Sequence, residues 1–271
     1  MMNLESALLV GGALCYAGAA LIDVRATLLK KPRGRQVIGL MSLGVVLLAL
    51  TIAERWLRLG YGPFLTLFEV LLSNLFSLGL IYAVVYWRFP IVREGAVVAF
   101  STPLLLFSWA LWVPRAGSYL PATFENPWLW VHVGTGKVFL GICLVAFSLA
   151  GVLILRLSPR LRAHLGAGPG EVVLDDYAWR FLTLAFVFHS LMLIAGAVWA
   201  QDAWGRYWAW DPLETWAFMT WLLMASSLHA RLTFEIPPWS GWLMIAVVFI
   251  LAILTFLGVP FLSQAPHKGA V

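Results

Sequence analysis

Residues 204–216 read W-G-R-Y-W-A-W-D-P-L-E-T-W, with four tryptophans, a tyrosine, an arginine and two carboxylates in thirteen positions. Indole rings crowded onto one connection suit a large, flat, apolar ligand held by stacking and burial. Arg206 is placed beside them to pair with a ligand carboxylate. Asp211, Pro212 and Glu214 have a sufficient structural reading of their own. Aspartate is a preferred N-cap, proline suits the first helical position, and glutamate at the third completes a capping box. Imidazole is available from five histidines, His132, His164, His189, His229 and His267. The two cysteines, Cys15 and Cys143, stand in neither a C-x-x-C pair nor a zinc spacing, and read as small buried hydrophobes.

The elements that must carry these residues follow from composition. Of the 271 residues, 62% are hydrophobic and 11% charged, whereas a soluble domain is roughly a quarter charged. The apolar residues come in continuous blocks near twenty residues, the length that crosses about 30 Å of hydrocarbon. Lipid permits only helices or a closed barrel, and the runs do not alternate. The chain is therefore expected to be an all-α polytopic membrane protein. It should form one domain over 1–271, with about eight transmembrane helices near 5–24, 36–56, 64–87, 91–113, 129–155, 177–200, 215–231 and 240–260. The first block lacks a basic leader and a small-residue cleavage site, so it reads as a retained helix.

Lysine and arginine in the connections set the orientation. Twelve fall on one side (Arg25, Lys30, Lys31, Arg33, Arg35, Arg88, Arg93, Arg156, Arg160, Arg162, Arg180 and Arg231) and five on the other (Arg55, Arg58, Arg115, Arg206 and Lys268), with Lys137 inside the fifth block. The richer side is expected in the cytoplasm, which puts both termini and residues 201–214 outside. The net charge of +5 reads as this orientation signal, not as a nucleic-acid interface.

The outer side also gathers His132, near the start of the fifth helix, His267 in the tail, and Glu69 just below the surface. Glu69 has two open readings, a cavity or partner contact and a hydrogen bond between helices. An interfacial aromatic belt explains one or two tryptophans per helix end. It does not explain Trp199, Trp204, Trp208, Trp210 and Trp216 on one connection. A flat apolar dicarboxylate with imidazoles nearby points to haem, whose faces need apolar walls, whose propionates need a cation and whose iron needs axial nitrogen. His189, deep in the sixth helix, reads as a hydrogen-bonded core residue or an intramembrane functional group. His164 lies in a basic loop and reads as solvated.

The stretch 204–216 closely resembles the tryptophan-rich "WWD" signature of the haem-handling proteins of cytochrome c maturation. Its extension D-P-L-E-T-W-A-F-M-T-W-L and the later S-L-H-A-R resemble the CcsA/ResC branch, the integral membrane component of the System II synthase. P-F-L-T-L-F-E-V and N-P-W-L-W-V-H-V resemble that branch's early-helix and first external histidine segments. The resemblance implies haem b as bound substrate. Its axial ligands would be His132 and His267, with His229 at an inner transit site. The haem would lie against Trp204, Arg206, Tyr207, Trp208, Trp210, Asp211 and Trp216. The context of His267, Q-A-P-H-K, departs from the family's usual G-L-H-S-Y type.

The resemblance further implies a CcsB/ResB-like membrane partner, apocytochrome c bearing C-x-x-C-H, and a thioredoxin-like protein that keeps its thiols reduced. The site would face the periplasm from a bacterial inner membrane, or the equivalent side of a thylakoid-like one. Two other functions stay open: a haem chaperone or exporter without synthase activity, and an unrelated secondary transporter. The dense aromatic site at one face, and not at mid-membrane, weighs against the transporter.

Overall fold

A computed structural model describes residues 4–31, 34–62, 65–165 and 170–258. All regular structure among them is helical. The helices are α1 (Leu4–Leu28), α2 (Arg35–Leu59), α3 (Leu67–Arg88), α4 (Ala96–Ala99), α5 (Ser101–Trp112), α6 (Pro127–Leu155), α7 (Pro159–Leu165), α8 (Glu171–Trp204), α9 (Pro212–Thr233) and α10 (Pro238–Ile253). Each apolar block falls on one or more of them, and the chain is a multi-pass membrane protein.

Six helices, α1, α2, α3, α6, α8 and α10 with its extension to Gly258, are long and apolar enough to cross a membrane. A bent pair, Pro90–Ala99 with Ser101–Trp112, broken by 42°, is long and apolar enough only when its parts are taken together, as a broken span or a re-entrant loop. Pro103 lacks the N–H that would bond the Ala99 carbonyl, which accounts for a break there. The eighth block is α9, with 22 residues. It falls short of the others in apolarity, carrying Glu214, Thr220, Ser227, His229 and Arg231.

The centre of the packing is α6, which lies against α3, α4, α8 and α10. Its Phe139, Leu140, Cys143, Val145, Leu149 and Leu153 are fully buried. Cys15 and Cys143 are both free thiols, the first half-buried and the second buried.

One end of the bundle is tied together by charge. Arg55 on α2 is 1% exposed. Its Nε donates to Glu69 Oε1 at 3.0 Å, and its Nη atoms donate to the carbonyls of Arg115 at 3.2 Å and Ala116 at 3.0 Å. Glu5 on α1 joins the same guanidinium at 3.4 Å and also pairs with Arg58. Glu69 closes a capping box with Thr66 at the start of α3, and accepts from the N–H groups of Leu65 and Thr66, both at 3.1 Å. The hydrogen-bonded reading of Glu69 is the one observed. Tyr61, just after α2, donates to the same carboxylate at 3.3 Å and accepts from the Ser118 N–H at 2.6 Å. Burial, with Glu69 alongside, raises the Tyr61 hydroxyl above its ordinary value, so it remains a donor.

The opposite end carries its own pairs. Arg156 meets Glu94 at 3.6 Å, Arg162 pairs with Glu171, and Arg231 meets Asp175 at 2.6 Å. Trp242 Nε1 donates to the other oxygen of Asp175 at 2.8 Å. The two basic groups read from the sequence thus contribute to opposite ends of the bundle.

Candidate functional site

At the Arg55 end, α6 begins with Asn126 capping Trp128 N at 2.7 Å and Pro127 in the first turn. Asn126 Nδ2 also donates to Asp202 at 3.0 Å, fixing the start of α6 to the end of α8. His132 is thereby held facing α8, half-buried. Its Nδ1 lies 2.8 Å from the Met192 carbonyl oxygen. A carbonyl can only accept, so Nδ1 carries the proton and Nε2 carries the lone pair in the neutral ring. Trp199 stacks on the imidazole, with centroids 6.0 Å apart and 23° between planes. Trp199 Nε1 is itself tied to the Thr123 carbonyl at 2.9 Å.

This approach depends on Gly196, which sits one turn after Met192 on α8. A Cβ there would fall 2.6 Å from His132 Nδ1 and 2.8 Å from its Cε1. Only a residue without a side chain lets the ring reach the helix backbone. Nothing in the apolar pattern of α8 singled this glycine out.

Beyond Trp204 the chain turns sharply. Gly205 ends α8 in the left-handed region at φ 72°, its N–H on the Gln201 carbonyl. Trp210 also has a positive φ, 58°, which is costly for a bulky residue. Glu214 holds the loop in this shape: its Oε2 accepts from Ala209 N at 2.7 Å and Asp211 N at 3.3 Å. Asp211 Oδ1 accepts in return from Glu214 N at 2.9 Å, completing the capping box that starts α9.

A cavity of about 210 Å³ lies between these elements. α6 contributes His132, Gly136 and Lys137; α8 contributes Met192, Leu193, Gly196 and Ala197; the loop contributes Tyr207 and Trp208; α9 contributes Leu213, Glu214 and Ala217. α3 supplies Val70 and Asn74, and the π-helical turn Leu254–Gly258 after α10 supplies Thr255 and Phe256. Such π turns recur at functional sites. A second, almost wholly apolar groove of about 500 Å³ shares Leu193, Ala197 and Trp208 with the cavity, and adds Trp210, Phe218 and Trp221. Trp208, Trp210 and Phe218 meet edge to face, 5.6 to 6.1 Å between centroids. Among the described residues the buried Trp208 Nε1 has no hydrogen-bond partner, and neither has Asn74 Nδ2. Buried donors without acceptors are uncommon, and they suit a site completed by a ligand.

The sequence-derived residues separate accordingly. His132, Tyr207 and Trp208 line the cavity, and Trp210 lines the groove beside it. Arg206 is exposed on the loop and Asp211 caps α9. Trp204 packs instead against Trp199 at 4.9 Å, in a separate cluster with Tyr61, Leu65, Phe124 and Leu129. Trp216 points outward at 40% exposure. His229 lies 15 residues after Glu214, about 22 Å along α9, exposed beside Phe234 and Thr233. His267 lies outside the described residues. His189 is buried on α8, stacked on Phe139 at 4.2 Å and 13°, its ring nitrogens without hydrogen-bond partners among the described residues. The hydrogen-bonded core reading of His189 gives way to a stacked one.

Residues 36–267 match the model of the Cytochrome C assembly protein family. The chain belongs to this family. Its relatives include the cytochrome c biogenesis protein CcsA of Guillardia theta, 28% identical over 85% of this chain and 84% of that one. The CcsA of Chlamydomonas reinhardtii is 31% identical over 84% of this chain and 67% of its own length. That of Gloeobacter violaceus is 29% identical over 97% and 93%. As a cytochrome c assembly protein, the chain acts in cytochrome c maturation in a membrane, a setting that fits membrane partners and an apocytochrome substrate. The matched stretch takes in every helix from α2 onward, and with them the whole cavity lining.

Proposed function

We propose that this cytochrome c assembly protein is the membrane component of a System II synthase, a single integral membrane domain that holds haem b on the outer side. Haem sits against Trp208 and Trp210 with its iron on His132 Nε2. The supporting observation is the bond from His132 Nδ1 to the Met192 carbonyl. It fixes the tautomer and orients the ring, as a backbone carbonyl does for many metal-ligating histidines. The apolar groove at Trp208, Trp210, Phe218 and Trp221 supplies an apolar wall for a porphyrin face. Haem supplies the iron and the two vinyl groups to which the cysteine thiols of an apocytochrome C-x-x-C-H motif add.

His267 is the second axial ligand in this reading. Phe256 lines the cavity and Gly258 is two residues further on. From Gly258 to His267 is nine residues, a reach of at most roughly 30 Å. His229, at the far end of α9, serves an inner haem site completed by a CcsB/ResB-like partner. A thioredoxin-like protein keeps the substrate thiols reduced. The membrane is a bacterial inner membrane or a thylakoid-like one, with residues 201–214 on the periplasmic side or its equivalent.

The test is the visible spectrum of the chain purified with its partner. Wild type is expected to show six-coordinate bands of two axial imidazoles. His132→Ala should weaken them, and added imidazole should restore them. Bands unchanged in His132→Ala remove the assignment. Haem retained without covalent product, in a strain making a reporter cytochrome, supports a chaperone in place of a synthase.

A further inference from the structure

Lys137 has no part in the coordination just described, yet it lines the same cavity. It lies five residues after His132 on α6, about 7.5 Å deeper along the axis. Its Nζ donates to Ser73 Oγ and Asn74 Oδ1 on α3, both at 2.8 Å. Both acceptors are neutral, and among the described residues the amine makes no ion pair. An ammonium has three N–H donors, so two are used and one is left. Asn74 is completely buried and its Nδ2 has no acceptor among the described residues. Two donors without acceptors among the described residues, one of them on a lysine, thus stand together in a lining whose other polar members are His132, Tyr207, Glu214 and Thr255. Glu214, also in the lining, has its Oε2 taken by Ala209 N and Asp211 N.

A buried cation in a spanning helix is costly unless a partner compensates it. We infer that Lys137 and Asn74 form a carboxylate-binding site that takes a propionate of the haem held by His132. This rests on the haem reading and adds the direction in which the ring enters. The depth of Lys137 below His132 is comparable to the distance from a porphyrin's centre to its carboxylates. Propionates lie on the edge of the ring away from the vinyl groups. A propionate held at the cavity floor therefore turns the vinyl edge outward, where apocytochrome thiols can reach it. Arg206, exposed on the loop, is left for the second propionate.

The test compares two probes on the purified full chain with its partner: haem, and haem dimethyl ester, which keeps iron and vinyls but lacks the carboxylates. Wild type should bind haem roughly tenfold to a hundredfold more tightly than the ester, as expected for a charge-assisted hydrogen bond in a buried site. Lys137→Met should remove that preference while leaving ester binding near wild type, and Lys137→Arg should retain much of it. If Lys137→Met does not yield folded protein, Asn74→Leu reads the same site and should shrink the preference. A full preference in Lys137→Met or Asn74→Leu overturns the inference, as does a wild type indifferent to esterification. In those cases haem still binds through His132, so the haem reading stands. A wild type that binds neither probe overturns both.

Discussion

Gly196→Ala is expected to weaken coordination by His132 by roughly 10- to 100-fold while leaving α8 folded. The added methyl would start 2.6 Å from Nδ1, well inside contact distance. α6 and α8 form the most extensive helix pair in the bundle, so the ring and not the helix should yield. The imidazole then leaves the Met192 carbonyl, losing both its tautomer and its aim. Loss of such an orienting partner typically weakens a metal site 10- to 100-fold. Alanine is the better helix former by roughly 0.5–1 kcal/mol, so helix propensity does not oppose the change. The comparison with His132→Ala is diagnostic. His132→Ala opens space that added imidazole can fill, whereas Gly196→Ala keeps the displaced ring in the way. Haem titration of the two variants with and without imidazole should show rescue of the first and little of the second. Wild-type affinity in Gly196→Ala would mean that the close approach of His132 to α8 is not what positions the ligand.

The second large effect concerns stability. Arg55→Met removes the guanidinium that Glu69, Glu5 and the carbonyls of Arg115 and Ala116 share. Glu69 is wholly buried and Glu5 nearly so. Glu5 keeps Arg58, but leaving the buried Glu69 carboxylate without its cation costs about 3–5 kcal/mol. Thermal unfolding in detergent should fall sharply. The double variant Arg55→Met/Glu69→Gln should recover part of the loss, because glutamine keeps one acceptor for the α3 cap and carries no charge. A double variant no more stable than the single one would place the defect in lost packing against Phe68, over which Arg55 lies at 5.0 Å.

These two residues mark where the sequence was readable and where it was not. Periodicity and length located the helices, because lipid leaves little choice of structure. They could not establish the cap role of Asp211 and Glu214; the bonds of Glu214 to the turn at Ala209 and Asp211 do that. Glu69 stayed ambiguous because its partner, Arg55, sits on another helix, and no local pattern links the two. Trp204 and Trp208 look alike in a tryptophan-rich run. The left-handed turn at Gly205 sends them to different places, Trp204 onto Trp199 and Trp208 into the cavity. Gly196 carried no signal, since its contribution is the absence of a side chain. Lys137 did carry one, an isolated cation in an apolar block, but its neighbours Ser73 and Asn74 come from a helix some sixty residues earlier.

The most direct measurement is an experimental structure of the chain with its partner and haem. The predicted result is porphyrin density against Trp208 and Trp210, with iron bonded to His132 Nε2 while Nδ1 remains on the Met192 carbonyl. Haem bound away from this cavity, or iron ligated by other residues with His132 still turned to α8, would contradict it.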